Sequence, residues 1–112
     1  MKYSYELKHN IGVYNLAGNL IGEDDGVHIT DSFAQEIGNG TSNFVIDLTQ
    51  LQHINSSGLG VLITLLTKAR KAGGEVVLAG PSDFIKNLLV MTKLNTIFTI
   101  YASAEEAMGA YA

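Results

Sequence analysis

The sequence predicts an α/β domain, a small sheet with helices laid on it, and three observations carry that prediction. Phe44-Val45-Ile46 and Glu75-Val76-Val77-Leu78-Ala79-Gly80 are apolar, β-branched runs with the composition of buried strands. Between them, Leu59, Leu62, Ile63, Leu66 and Ala69 recur at helical spacing. Strand, helix and strand in that order make a right-handed crossover joining parallel strands. At the start of the chain, large residues alternate from Tyr3 to Leu7, and Gly12-Val13-Tyr14-Asn15-Leu16-Ala17 follows after His9-Asn10. That pattern reads as a hairpin of two strands.

Taken in order, the hairpin gives way to Gly18-Asn19-Leu20-Ile21-Gly22 and then to three adjacent acids, Glu23, Asp24 and Asp25. Adjacent acids with no paired His make a poor metal site. They read either as an acidic docking surface or as the first turn of a helix, where the dipole favours negative charge. From Gly26 to Gly38, Val27, Phe33, Ala34 and Ile37 form a helical stripe, ended by Gly38-Asn39-Gly40. The buried strand at Phe44 is expected to run out through Asp47-Leu48-Thr49-Gln50-Leu51 to a polar edge. Asn55, Ser56 and Ser57 are residues of the type that caps a helix, so the central helix starts there, and Lys68, Arg70 and Lys71 suit its carboxyl end.

Gly73-Gly74 breaks that helix and the second buried strand follows. Pro81 and a capping Ser82 open a further helix, whose apolar residues Phe84, Ile85, Leu88, Leu89 and Met91 are too many for one narrow stripe. Phe84, Leu88 and Met91 are therefore candidates for a partner surface, with core packing as the alternative. Ile97-Phe98-Thr99-Ile100-Tyr101 reads as a last short strand. Ser103 and Glu106 stand at capping-box spacing before a C-terminal helix. The element order is two strands, helix, strand, helix, strand, helix, strand, helix.

Composition narrows the function. A chain of 112 residues fits one domain, 1–112, with a single core. It is 46% hydrophobic and 16% charged, which argues against disorder. A formal net charge of −4 without a Lys/Arg block argues against nucleic acid. No cysteine means no disulfide and no thiolate chemistry, consistent with a reducing compartment. No apolar run approaches a membrane span and the start has no apolar h-region, so a cytoplasmic protein without membrane insertion is expected.

The candidate site is the start of the central helix. Ser56 and Ser57 lie where free backbone N–H groups and the dipole favour an anion, and Gly58 and Gly60 would leave the backbone open to a partner. Such a place can bind a phosphate, attack as a nucleophile, become phosphorylated, or simply cap the helix. His53 precedes Ser56 by three residues, but a Ser-His pair without an orienting acid or oxyanion hole is no triad, and no Gly-x-Ser-x-Gly elbow is present. His28 stands alone, without a second His at ligand spacing. Gly58-Leu59-Gly60 lacks the lysine and glycine spacing of a nucleotide loop. No catalytic residue, metal or cofactor is expected.

Asp47-Leu48-Thr49-Gln50-Leu51 followed by Ile54-Asn55-Ser56-Ser57-Gly58-Leu59-Gly60 resembles the signature of the STAS family, the anti-sigma-factor antagonists of bacterial partner-switching pathways. A Gly73-Gly74-Glu75 turn adds to the likeness, which extends over most of the chain and is weaker before Phe44. The resemblance implies a STAS-like α/β fold, a small mixed, mostly parallel sheet of about five strands with about four helices. It implies that Ser56 is phosphorylated by an anti-sigma-factor serine kinase and restored by a serine phosphatase. Asn55, Ser57, Gly58 and Leu59 would then contact partners, and Glu23 and Asp24 would lie on the same face. The chain departs from the family pattern at Asn55, where the family carries an acid; Asn keeps the shape and a hydrogen-bonding oxygen and loses the charge. A non-enzymatic antagonist switched at Ser56 is the expected function. The alternative is an unphosphorylated STAS subunit of a membrane transport or other multiprotein complex, and an enzyme comes third.

Overall fold

The protein is described by a computed structural model that covers residues 1–21 and 23–111, with the backbone alone described at residues 23–25. The chain runs β1 (Lys2–Lys8), β2 (Ile11–Leu20), α1 (Glu23–Gly38), β3 (Asn43–Ile54), α2 (Ser56–Lys71), β4 (Glu75–Ala79) and α3 (Asp83–Met91). A 3-10 turn (Leu94–Thr96), β5 (Ile100–Tyr101) and α4 (Ala104–Gly109) complete it. The strands form one sheet in the order β1-β2-β3-β4-β5. Only β1 is antiparallel to its neighbour; β2, β3, β4 and β5 are mutually parallel.

The hairpin closes through His9 and Asn10, both with positive φ (51° and 66°), a two-residue turn whose twist matches the strands it joins. Each later strand returns parallel to the last, so helices must cross the sheet faces. One face is covered by α1, α2 and α3 and holds the larger core, including Tyr14, Phe33, Phe44, Leu62 and Leu78. The other is covered by the short α4 over Ile11, Val13, Val45, Val77 and Ala79. Tyr111 fastens that second layer: its hydroxyl donates to the carbonyls of Phe44 (2.9 Å) and Glu75 (3.1 Å), at the starts of β3 and β4.

The structure alters three of the sequence expectations. In α1 the inward stripe is Ile29, Phe33 and the half-buried Ile37, at i, i+4, i+8, while Val27 and Ala34 are exposed. β3 does not stop at a polar edge but continues to Ile54, because β2 stays beside it as far as Leu20. The register jumps from Asn15↔Asp47 to Ala17↔Gln50, a bulge that Asp47 fixes by accepting from Thr49 N (2.9 Å) and Thr49 Oγ1 (2.5 Å). The last strand keeps only Ile100 and Tyr101, since Phe98 turns inward to the core after the 3-10 turn.

The helix starts follow the sequence closely. Ser82 Oγ accepts from Ile85 N, and Ser103 Oγ accepts from Glu106 N, both at 3.2 Å. Glu106 Oε2 reaches back one residue further than a capping box does, accepting from Ala102 N, the residue before the cap, in place of Ser103 N.

The Gly73-Gly74 turn has two separate requirements. Gly73 adopts φ +84° in open space, whereas a Cβ on Gly74 would lie 1.8 Å from Ser42 O. Gly73→Ala should therefore cost about 1 kcal/mol of backbone strain. Gly74→Ala forces β3 and β4 apart at their starts and should cost about 3 kcal/mol or more, visible as a larger drop in the urea midpoint.

Candidate functional site

The site is built where β2 and β3 end together. Leu20 and Ile54 are paired, and Asn55 N then donates to Leu20 O at 3.4 Å before the chain turns into α2. Asn55 is the N-cap, with extended backbone (φ −112°, ψ −173°), and its Oδ1 accepts from Gly58 N at 2.9 Å. The capping bond thus falls to Asn55, and Ser56 enters as the first residue of the helix. Asn55, Ser56 and Ser57 are all exposed. With no acid in the first turn of α2, the positive end of its dipole is uncompensated by a side-chain charge there.

Two of the expected contact residues are corrected. Gly58 is not open to a partner: a Cβ there would lie 2.2 Å from Leu20 O and 2.7 Å from Ile54 Cγ1, so the glycine serves to seat the helix against the end of β2. Leu59 is only 8% exposed and packs into the core. Gly60, by contrast, has nothing within 4 Å of its Cβ position. The side chains of Glu23 and Asp24 lie outside the described residues; their backbone falls in the first turn of α1.

α3 divides as its wide apolar arc requires. Ile85 and Leu89 are buried and Leu88 is half-buried against the core, while Phe84 (54%) and Met91 (78%) are exposed. The ring of His53, near the end of β3, meets Phe84 edge-on with centroids 5.8 Å apart. His53 therefore links the strand leading to Ser56 with the outer face of α3, a role its position in the sequence does not reveal. Ile63, counted in the inward stripe of α2, is exposed instead, and Leu65 takes the buried position.

The STAS domain family matches this chain over residues 2–107. The chain belongs to the STAS family. Among its relatives is the anti-sigma F factor antagonist of Paenibacillus polymyxa, 29% identical over 96% of this chain and 94% of the relative. The anti-sigma-B factor antagonist of Listeria monocytogenes serovar 1/2a is 38% identical over 55 residues, 49% of this chain and 48% of its own. Among solved structures, Bacillus SpoIIAA in its phosphorylated form superposes with a TM-score of 0.78 at 19% identity, covering 99% of this chain and all of that one. SpoIIAA in its unphosphorylated form gives 0.75 at 20% identity, with 98% and 97% covered. The fold is thus the STAS fold, with its five-stranded mixed sheet and four helices. Among the described residues of this STAS domain, no helix is long and apolar enough to cross a membrane.

The cap separates shape from charge. Asn55→Ala removes the bond to Gly58 N and should cost about 1 kcal/mol. Asn55→Asp keeps the bond, adds a carboxylate at the positive helix end, and should leave stability equal or slightly higher. Thermal unfolding of the three proteins at neutral pH measures both differences.

Proposed function

We propose that this STAS domain is a non-enzymatic anti-sigma-factor antagonist that binds an anti-sigma-factor kinase and is switched off by phosphorylation of Ser56. The observation that carries the reading is the exposed Ser56 at the first position of α2, freed from capping by Asn55 beside it. The relatives named anti-sigma factor antagonists support the role, and SpoIIAA supports the switch, having been solved both with and without its phosphate. Kinase and ATP set the protein in the cytoplasm.

In the unmodified state Ser56 is small and neutral, so a partner surface can close over the helix start, with Phe84 and Met91 available as apolar contacts on α3. The kinase transfers the γ-phosphoryl group of ATP to Ser56 Oγ, releasing ADP and the hydroxyl proton. The product carries about −1.5 to −2 charge at neutral pH. Within the domain, the amino end of α2 tolerates that charge. At the interface, the phosphate must be desolvated and adds bulk where the partner was close, so binding is lost while the fold persists. A serine phosphatase returns the protein to its binding state. Asn55, in place of the family's acid, keeps the cap that presents Ser56, and Ser57 supports the same surface.

Ser56→Ala should bind the kinase constitutively and escape phosphorylation, while Ser56→Asp should bind at least about tenfold more weakly, both with near-native melting temperatures. Affinity measured against a kinase-like ATPase captured from the native cell tests this. Equal affinities for the two variants, or capture of membrane transport proteins in place of such an ATPase, would overturn it.

A further inference from the structure

We infer that β1 is a self-pairing edge, joining antiparallel to β1 of a second copy about a two-fold axis through Ser4. The sheet has two edges. The β5 edge is a two-residue strand, whereas β1 presents seven consecutive residues with unbroken pairing to β2, no proline and no bulge. Such an edge is a template for another strand unless something blunts it.

The hydrogen-bonding parity is fixed by the hairpin. Lys8 and Ile11 close the two-residue turn, so the main-chain groups of Lys8, Glu6, Ser4 and Lys2 point to β2. Those of Tyr3, Tyr5 and Leu7 therefore point outward. An antiparallel partner must match these outward residues to each other, which leaves only registers centred on a residue.

Centred on Ser4, the strand is its own complement. Tyr3 falls opposite Tyr5 of the second copy, and each such pair exchanges two N–H···O bonds. Lys2 falls opposite Glu6, twice by symmetry, in the close non-hydrogen-bonded positions that favour opposite charges. Both faces also agree. Tyr3 and Tyr5 are half-buried on the face toward α1, where Tyr3 Oη donates to His28 O at 3.4 Å, and Leu7, 53% exposed, falls opposite Met1 on that same face. Lys2, Ser4 and Glu6 share the solvent side, all exposed.

Of the competing registers, one centred on Tyr5 sets Lys2 against Lys8 twice and one centred on Glu6 sets Glu6 against Glu6, both opposed by like charge, while one centred on Tyr3 sets Lys2 against Ser4 and gains no ion pair. Edge charges that would normally discourage pairing instead select one register. A strand of this length covers less area than a standard interface, so the dimer should be weak, with a dissociation constant on the order of 100 μM. β2 lies between β1 and β3, which leads to Ser56, so pairing leaves the Ser56 site open and its test does not depend on the switch.

The chain has no cysteine, which makes the register readable by crosslinking. At the two-fold centre the two Ser4 Cα atoms lie about 4.5 Å apart, within disulfide reach. Under mild oxidation at about 100 μM protein, Ser4→Cys should form a disulfide dimer at least about tenfold faster than Glu6→Cys or the remote, exposed Asn95→Cys. In the Ser4→Cys background, Lys2→Glu or Glu6→Lys alone should slow the crosslink several-fold, and the two together should restore it. Equal rates at the three cysteine positions, faster reaction of Glu6→Cys, or failure of the double charge reversal to restore the rate would each overturn the proposal.

Discussion

The arrangement depends on one close contact, the seating of Gly58 against the carbonyl of Leu20. β2 and β3 end side by side, Asn55 donates to Leu20 O, and α2 then begins so near the end of β2 that no side chain fits at its third residue. With that start fixed, Leu59, Leu62, Leu65, Leu66 and Ala69 all turn into the core, and the crossover to β4 follows. The same contact points the first two helical residues outward. The exposed Ser56 is therefore a consequence of how α2 is anchored, and a modification at that residue adds charge beside the anchor without entering it.

Asn55 and Ser56 divide the work that a single serine often does at a helix start. Asn55 supplies the capping oxygen and closes the first turn, so Ser56 is left neutral, exposed and at the positive end of the dipole. In the proposed switch, a dianion there would suit the end of the helix electrostatically and oppose an interface pressed against it. Tolerance within the domain and intolerance at its surface are the two properties that a reversible binding switch needs.

The sequence made much of this legible because the signals were local. Capping side chains at Ser82 and Ser103 and the His9-Asn10 turn act within a few residues of themselves, and each is found where the sequence places it. The Asn55-Ser56-Ser57 run marks the helix start for the same reason, although which of the three caps required coordinates. The misplacements were matters of facing and of strand length. Val27 and Ile63 read as core and are exposed, Gly58 read as open and is closed, and β3 read as running out to a polar edge through Asp47-Leu48-Thr49-Gln50-Leu51 and continues to Ile54. In each case the deciding neighbour is distant in sequence: Leu20 for Gly58, and β2 for the length of β3.

By itself, then, the sequence determined the kinds and order of the elements, the capped starts of α3 and α4 and the family, because these follow from periodicity, turn chemistry and a contiguous motif. Only the tertiary structure decided which faces are spent on the core and which remain for partners. Burial is a property of what packs against a residue, and the packing that closes Gly58, divides α3 between Leu89 and Phe84, and brings His53 onto Phe84 joins segments that no local pattern connects.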